Sequence, residues 1–175
     1  MKVDLGFDAG VLTELIDRVR SEPEAGATVW KAGTRWEKGL RSRAVIARPD
    51  KEHVVPMDEP TVLGGSDSAP NMVEVVLGAY GCCLTTGFVA NAALRGIELE
   101  GVDIEIEGEL DLQGFFGLRD PDEVWPGYTD VRATVSLRAP TATREQLEEL
   151  FTAVVPTSPV GSIISRPVRL RTELG

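Results

Sequence analysis

The spacing of hydrophobic positions changes several times along this chain, and each spacing predicts a different element. Apolar residues recur at helical intervals from Val11 to Val19, which predicts an amphipathic opening helix that ends before Pro23. Helical spacing returns after Thr143, where a capping-box sequence predicts a second core-facing helix that ends near Pro156. A short helical turn is expected at 159–165. Alternating or β-branched runs predict strands at 27–36, 43–48, 54–63, 102–112, 131–137 and 168–172.

Two of these strands carry opposite charges on their outer faces. Asp103, Glu105 and Glu107 alternate with apolar residues on the first, and Arg132 and Arg138 do so on the second. The apolar side chains would face a core, and the charged ones would face solvent. Because opposite charges on neighbouring strands attract each other, we expect these two strands to pair.

Between Glu74 and Arg95 the chain has twenty residues without a charge. A membrane span needs about 20 mostly apolar residues, but the glycines and polar residues in this run argue against one. A helix that is apolar on every side must instead be covered by protein on every side. Asn71 with Glu74 resembles a capping box, and Gly96 supplies a stop. The run therefore predicts one long, buried, central helix over 70–95.

The order of these elements predicts an α+β fold rather than the regular alternation of a parallel sheet. A length of 175 residues suits one domain with a sizeable core, so we predict a single domain over 1–175, with 1–24 as an N-terminal helical extension. One chain of this length cannot cover an apolar helix on every side. We therefore expect a homodimer, since two-fold symmetric dimers are the commonest assemblies.

Composition narrows the classes of function. The formal net charge of -10 argues against nucleic acid and membrane as partners, since both bind through clustered Lys and Arg. The first ten residues lack the pattern of a secretory signal, which predicts a cytoplasmic location. Two adjacent cysteines and the single histidine, His53, fit neither a disulfide framework nor a familiar zinc spacing. We expect no metal and no cofactor.

Cys82 and Cys83 are the strongest candidates for chemistry. A protein thiol that reduces peroxides needs to ionise, needs a cation nearby, and needs a route back from sulfenic acid. Adjacent Cα atoms lie about 3.8 Å apart, which is shorter than disulfides prefer, so the pair is not a redox dithiol. The residues alone leave open that both are small core side chains, because free cysteine is among the most buried types.

A set of short motifs extends from about Thr34 to the C-terminus. They are Asp58-Glu59-Pro60, Gly64-Gly65, Asn71-Met72-Val73-Glu74 and Gly81-Cys82-Cys83-Leu84-Thr85-Thr86. Together they resemble the OsmC/Ohr family, the osmotically inducible protein C and organic hydroperoxide resistance proteins. The resemblance implies an OsmC-like fold, in which antiparallel sheets wrap long central helices in an intertwined homodimer. It also implies thiol-based reduction of organic hydroperoxides.

The resemblance places the reactive thiol at Cys83, twelve residues after Asn71. It also implies an arginine that stabilises the thiolate, from the segment that contains Arg35, Arg41 and Arg43. Arg41 is the first choice. The alternative is that these arginines are solvated charges of a hairpin.

Two positions depart from the family's pattern. The family's second cysteine belongs to a Cys-Pro-Val-like motif, where this chain has serine, Ser158. Serine cannot form a disulfide, so turnover would need an external thiol. The candidate carboxylate, Glu74, lies nine residues before Cys83, which puts the two about 180° apart around the helix and about 13 Å apart along it. Glu74 is therefore either a catalytic carboxylate or a helix cap.

Two functions stay open from the sequence. The first is a one-cysteine hydroperoxide reductase, in which Cys83 attacks a hydrophobic peroxide and an external thiol restores it. The second is a noncatalytic dimer that binds a hydrophobic small molecule in an apolar pocket near Trp36, Tyr80 and Phe88.

Overall fold

The computed structural model describes residues 3–175, and its contacts divide the chain into two units. The N-terminal unit comprises residues 10–76. The C-terminal unit comprises residues 77–175 and the described part of 1–9. A single domain over 1–175 stays a prediction.

The N-terminal unit contains three antiparallel strands and nearly all of the opening helix. These elements are α1 (Ala9–Ser21), β1 (Gly33–Lys38), β2 (Arg41–Arg48) and β3 (Lys51–Met57). The strands lie in the order β1-β2-β3, and the first turn uses Gly39 at a φ of 60°, which glycine adopts readily. Within this sheet β3 is an end strand, which suits Pro56 because proline has no N–H to donate. The predicted opening helix, first hairpin and end strand are confirmed.

Two strand boundaries predicted in this unit are wrong. The first strand begins at Gly33 rather than at 27, because the residues before it pair with no strand among those described. The strand expected over 54–63 ends at Met57, and Thr61–Leu63 forms a 3-10 turn. The ladder ends where Met57 pairs with Ser42, and the next residue, Asp58, donates its backbone N–H to the carbonyl of Pro70 instead.

A single carboxylate, that of Asp58, holds the loop between β3 and helix α2 (Met72–Arg95). Asp58 is buried, and it accepts hydrogen bonds from the backbone and hydroxyl groups of Ser66 and Ser68 and from the backbone of Glu59. The bond from the Ser66 hydroxyl measures 2.6 Å. These donors, Ser66 first and Ser68 next, hold the pKa of Asp58 well below its usual range, because they stabilise the charged carboxylate. The loop that leads into α2 is thereby held in one conformation.

The C-terminal unit packs helices against a two-stranded antiparallel sheet. Its further elements are β4 (Gly101–Leu110), α3 (Leu112–Phe115), β5 (Tyr128–Arg138), α4 (Arg144–Val154) and α5 (Pro159–Ser165). Leu84 and Phe88 of α2 meet Leu150 and Val154 of α4 in the core, where each is at most 2% exposed. Phe88 also stacks on Phe151, with the ring centroids 6.2 Å apart. This core fixes the middle of α2 against α4.

The two charged strand faces pair as their sequences predict. In the β4–β5 ladder Glu107 lies opposite Arg132, and the two side chains form an ion pair of 2.5 Å. Asp103 and Arg138 form a second ion pair on the same face. All four side chains are exposed, so each pair adds little stability, on the order of 1 kcal/mol or less. Their main effect is on register, because a slip of one residue would bring them to the wrong face.

One chain covers only one face of α2. Of its described side chains, those that are buried are Leu84, Phe88 and Ala92, whereas Val76 and Leu94 are more than 40% exposed. Burial on every side is therefore not met within a single chain. By length and composition the helix could also cross a membrane, but a single helix of this kind is weak support for a span, because core helices pass the same test.

Capping side chains set the starts of two helices. Thr143 and Gln146 exchange hydrogen bonds between side chain and backbone, so the predicted capping box of α4 is confirmed. Asp111 accepts a hydrogen bond of 2.7 Å from the backbone of Gln113 and starts α3. The expected extension of the preceding strand to Leu112 is therefore wrong, since the cap turns the chain away from the ladder.

The strand expected over 168–172 is also wrong. No described residue pairs with this segment, and Leu170 is 86% exposed. Alternation gives a segment two faces, but a strand forms only where a neighbouring strand completes its hydrogen bonds. Within the described chain no neighbour does so.

Candidate functional site

The two cysteines lie in the middle of α2 but face different surroundings. Successive residues of a helix point about 100° apart, so neighbours cannot share one environment. Cys82 is exposed, whereas Cys83 is partly buried beside the core residue Leu84. The thiol that the protein itself surrounds is therefore that of Cys83.

The residue that meets this thiol is Ser158, at the start of α5. Its hydroxyl oxygen lies 3.2 Å from the sulfur of Cys83 and donates to it. The same oxygen accepts the backbone N–H of Gly161 at 3.1 Å, which makes Ser158 the N-cap of α5. Pro159 follows at the first helical position, where proline is favoured because no intrahelical donor is needed there. The structure therefore brings two of the four predicted site residues together.

A cavity of about 240 Å³ lies beside α5. Its lining includes Tyr80, Tyr128, Gly161 and Ile164. A Cβ atom at Gly161 would lie 2.9 Å from the ring of Tyr80 and 3.3 Å from the Ser158 hydroxyl oxygen, so the glycine is what lets this ring approach. The lining residues of the cavity include neither Ser158 nor Cys83.

The expected pocket near Trp36, Tyr80 and Phe88 is only partly found. Tyr80 lines the cavity beside α5. Phe88 has no exposed surface and belongs to the core, because it stacks on Phe151. Trp36 lies in the N-terminal unit and is 76% exposed. The prediction that Phe88 lines a pocket is therefore wrong.

The arginine candidates lie on the first hairpin, in the N-terminal unit. Arg41 and Arg43 both reach the carboxylate of Glu37, with N–O distances of 3.5 and 3.2 Å, and both are partly exposed. Arg35 lies opposite Arg43 in the ladder between β1 and β2. Arg41 thus has an acidic partner in its own unit, and its role at the thiol stays a prediction.

The contacts of Glu74 are those of a helix cap. Its carboxylate accepts the backbone N–H of Asn71 at 2.9 Å, and the Asn71 side chain accepts the backbone N–H of Glu74 at 2.9 Å. This reciprocal pair closes the first turn of α2 and places a negative charge at the positive end of the helix dipole. A catalytic role for Glu74 stays a prediction.

Sequence reasoning missed a second cavity, in the N-terminal unit. It has a volume of about 530 Å³ and lies between the turn that carries Leu40 and Arg41 and the loop that Asp58 holds. The signal in the sequence is an aspartate with serines eight and ten residues later, the spacing at which both serines reach its carboxylate. Across residues 3–175, no group of three or more His, Cys, Asp or Glu side chains could hold a metal ion.

The fold and the site define a class of protein: an α+β chain with antiparallel sheets, a central helix that carries a partly buried thiol, and a late short helix whose cap meets that thiol. A family model described as OsmC-like protein matches residues 65–173. The chain therefore belongs to the family of OsmC-like proteins.

Solved structures agree with this fold. An OsmC-like protein from Mycoplasma pneumoniae matches with a TM-score of 0.63 at 11% identity, over 78% of this chain and 87% of that one. An organic hydroperoxide resistance protein from Legionella pneumophila matches with a TM-score of 0.55 at 15% identity, over 79% and 92%. One from Elizabethkingia anophelis matches with a TM-score of 0.52 at 14% identity, over 79% and 90%. At these identities the likeness shows the fold alone, and no curated protein matches the sequence.

Proposed function

We propose that this protein reduces organic hydroperoxides at Cys83 and relies on an external thiol for turnover. The observation that carries the proposal is the hydrogen bond from the Ser158 hydroxyl to the Cys83 sulfur, which gives this thiol a polar partner. Family membership supports it, and two structural neighbours are described as organic hydroperoxide resistance proteins. Arg41 is the proposed cation for the thiolate.

The proposed reaction has two stages. The Cys83 thiolate attacks one peroxide oxygen, the O–O bond breaks, the alkoxide takes a proton to leave as an alcohol, and the cysteine becomes sulfenic acid. An external thiol then attacks the sulfenic sulfur and releases water, which leaves a mixed disulfide with Cys83. A second thiol attacks the external sulfur of this disulfide and releases the Cys83 thiolate. Ser158 cannot replace the first external thiol, because a hydroxyl does not form a disulfide.

We expect the two cysteines to differ completely in a peroxide assay. Cys83→Ser should abolish the consumption of tert-butyl hydroperoxide in the presence of excess dithiothreitol, because it removes the attacking sulfur. Cys82→Ser is the matched control, since this exposed neighbour on the same helix should leave consumption unchanged. Peroxide loss measured over time checks both, and equal loss of activity in the two variants would contradict the assignment.

A noncatalytic role in binding a hydrophobic small molecule is the second candidate. It is favoured by the serine at the position of the family's second cysteine and by the cavity of about 240 Å³ beside α5. Alkylation of the native protein separates the two functions. A catalytic Cys83 should react with iodoacetamide at acidic to neutral pH, whereas an inert core cysteine should not.

We also propose a homodimer in the cytoplasm, where a reducing environment would keep Cys83 available. The support for the dimer is the uncovered side of α2, on which Val76 and Leu94 remain exposed within one chain. Light scattering should give twice 18.9 kDa at low micromolar concentrations. A stable folded monomer under these conditions would contradict the proposal, because the apolar surface of α2 would then need no cover.

A further inference from the structure

We infer that Ser158 is a hydrogen-bond donor that stabilises the thiolate of Cys83, and so contributes to the reactivity of the site in its own right. The inference deepens the proposed function and rests on it, because the reactivity of Cys83 matters to the protein only if Cys83 carries out that function. The hydrogen bond itself can be tested without any peroxide.

The direction of the hydrogen bond follows from the partners of the Ser158 hydroxyl. A serine hydroxyl has one hydrogen to donate and lone pairs to accept with. The oxygen of Ser158 already accepts the backbone N–H of Gly161. Among the described residues, the acceptor for its hydrogen is the sulfur of Cys83, at 3.2 Å. The O–H group therefore points at the sulfur.

Burial makes this single contact decisive. Ser158 is only 5% exposed, so water has little access to replace the sulfur as acceptor. A thiol sulfur is a weak acceptor, whereas a thiolate carries a full charge and forms a stronger hydrogen bond. A donor fixed at this position thus favours the charged form of Cys83 over the neutral form. Ser158 keeps its own proton throughout, and no bond to its oxygen forms or breaks.

A second role of the same hydroxyl must be separated in any test, because Ser158 also caps α5. Ser158→Ala removes both the cap and the donor. Ser158→Asp keeps an acceptor for the N–H of Gly161, since aspartate is a good N-cap, but at neutral pH it has no hydrogen to donate and adds a negative charge. Ser158→Thr keeps both functions. The aspartate variant therefore keeps the cap, and its pH midpoint reports the lost donor and the added charge together.

The test is the rate of alkylation by iodoacetamide as a function of pH, followed by mass spectrometry. All variants carry Cys82→Ser, so that only Cys83 reacts. We expect Ser158→Ala to react about tenfold more slowly at pH 7, with its pH midpoint moved upward, because a hydrogen bond to a charged group is lost. Ser158→Asp should be slower still, because it adds a negative charge beside the sulfur, and thermal unfolding checks that it folds. Ser158→Thr should keep the parent midpoint.

The outcomes separate this inference from the proposed function. If the alanine and aspartate variants alkylate with the parent midpoint, the hydrogen bond does not stabilise the thiolate and the inference is overturned, even where peroxide is consumed. If the midpoints move as expected while the parent consumes no tert-butyl hydroperoxide, the inference stands and the proposed function fails. Should the alanine variant not fold, Ser158→Gly takes its place in the comparison with Ser158→Thr, because glycine is tolerated at an N-cap and has no side-chain donor.

Discussion

Replacing Gly65 by alanine is expected to destabilise the N-terminal unit by at least about 3 kcal/mol, the upper end of what overpacking usually costs. A Cβ atom at Gly65 would overlap the backbone carbonyl of Glu59, which belongs to the same loop and cannot rotate away. The loop has little freedom to adjust, because Asp58 ties both of its sides together. Gly64, the residue before it, adopts a φ of 87°, which also favours glycine.

A suitable control for this substitution is Gly33→Ala, in strand β1 of the same unit. A Cβ atom there would meet nothing within 4 Å, so the free energy of unfolding should change by no more than about 0.5 kcal/mol. Urea denaturation followed by tryptophan fluorescence compares the two variants, since Trp36 lies in this unit. Equal midpoints would mean that the loop does not pass as closely against Glu59 as the structure has it.

This loop also shows what sequence reasoning could not supply. The helices α1 and α4 and the first hairpin were predictable because their signals are local: apolar spacing, a capping box and a short turn. The five hydrogen bonds of Asp58 join residues up to ten positions apart, in a loop without periodicity. The strand predicted over 168–172 is wrong because alternation is a local signal, whereas a strand also needs a neighbouring strand from elsewhere in the chain.

The features of the candidate site also divide into those that the sequence predicts and those that depend on packing. Cys83 and Ser158 were found as positions in motifs, but the distance between their side chains depends on how α2 and α5 pack, across 75 residues of sequence. The cap formed by Ser158 follows from its place before Pro159, whereas its role as a donor to Cys83 requires that packing. The contacts of Glu74 are local instead, since its reciprocal hydrogen bonds with Asn71 follow from a spacing of three residues.

The substitution with the largest expected effect on chemistry is Ser158→Cys, in a chain that also carries Cys82→Ser. The hydroxyl oxygen lies 3.2 Å from the sulfur of Cys83, and a disulfide needs about 2.05 Å, so the two sulfurs would have to approach by about 1 Å. Peroxide should oxidise Cys83 to sulfenic acid, and the introduced thiol should then attack it, release water and form an internal disulfide. Mass spectrometry would show the loss of two hydrogens, and a dithiol such as dihydrolipoamide should reduce the disulfide again.

The matched control is Ser165→Cys, also with Cys82→Ser. Ser165 lies at the other end of α5, about 10 Å further along the helix, which is too far for a bridge to Cys83. This variant should accumulate sulfenic or over-oxidised Cys83 under peroxide, as the parent should when no external thiol is present.

Oxidation with diamide tests the distance between the two thiols separately from the reaction with peroxide, because diamide couples neighbouring thiols without a sulfenic intermediate. A disulfide in Ser158→Cys with diamide but not with peroxide would mean that Cys83 does not attack peroxides, and the binding function would then be the better proposal. No disulfide with either oxidant, in a folded variant, would show that α2 and α5 do not bring these two side chains together.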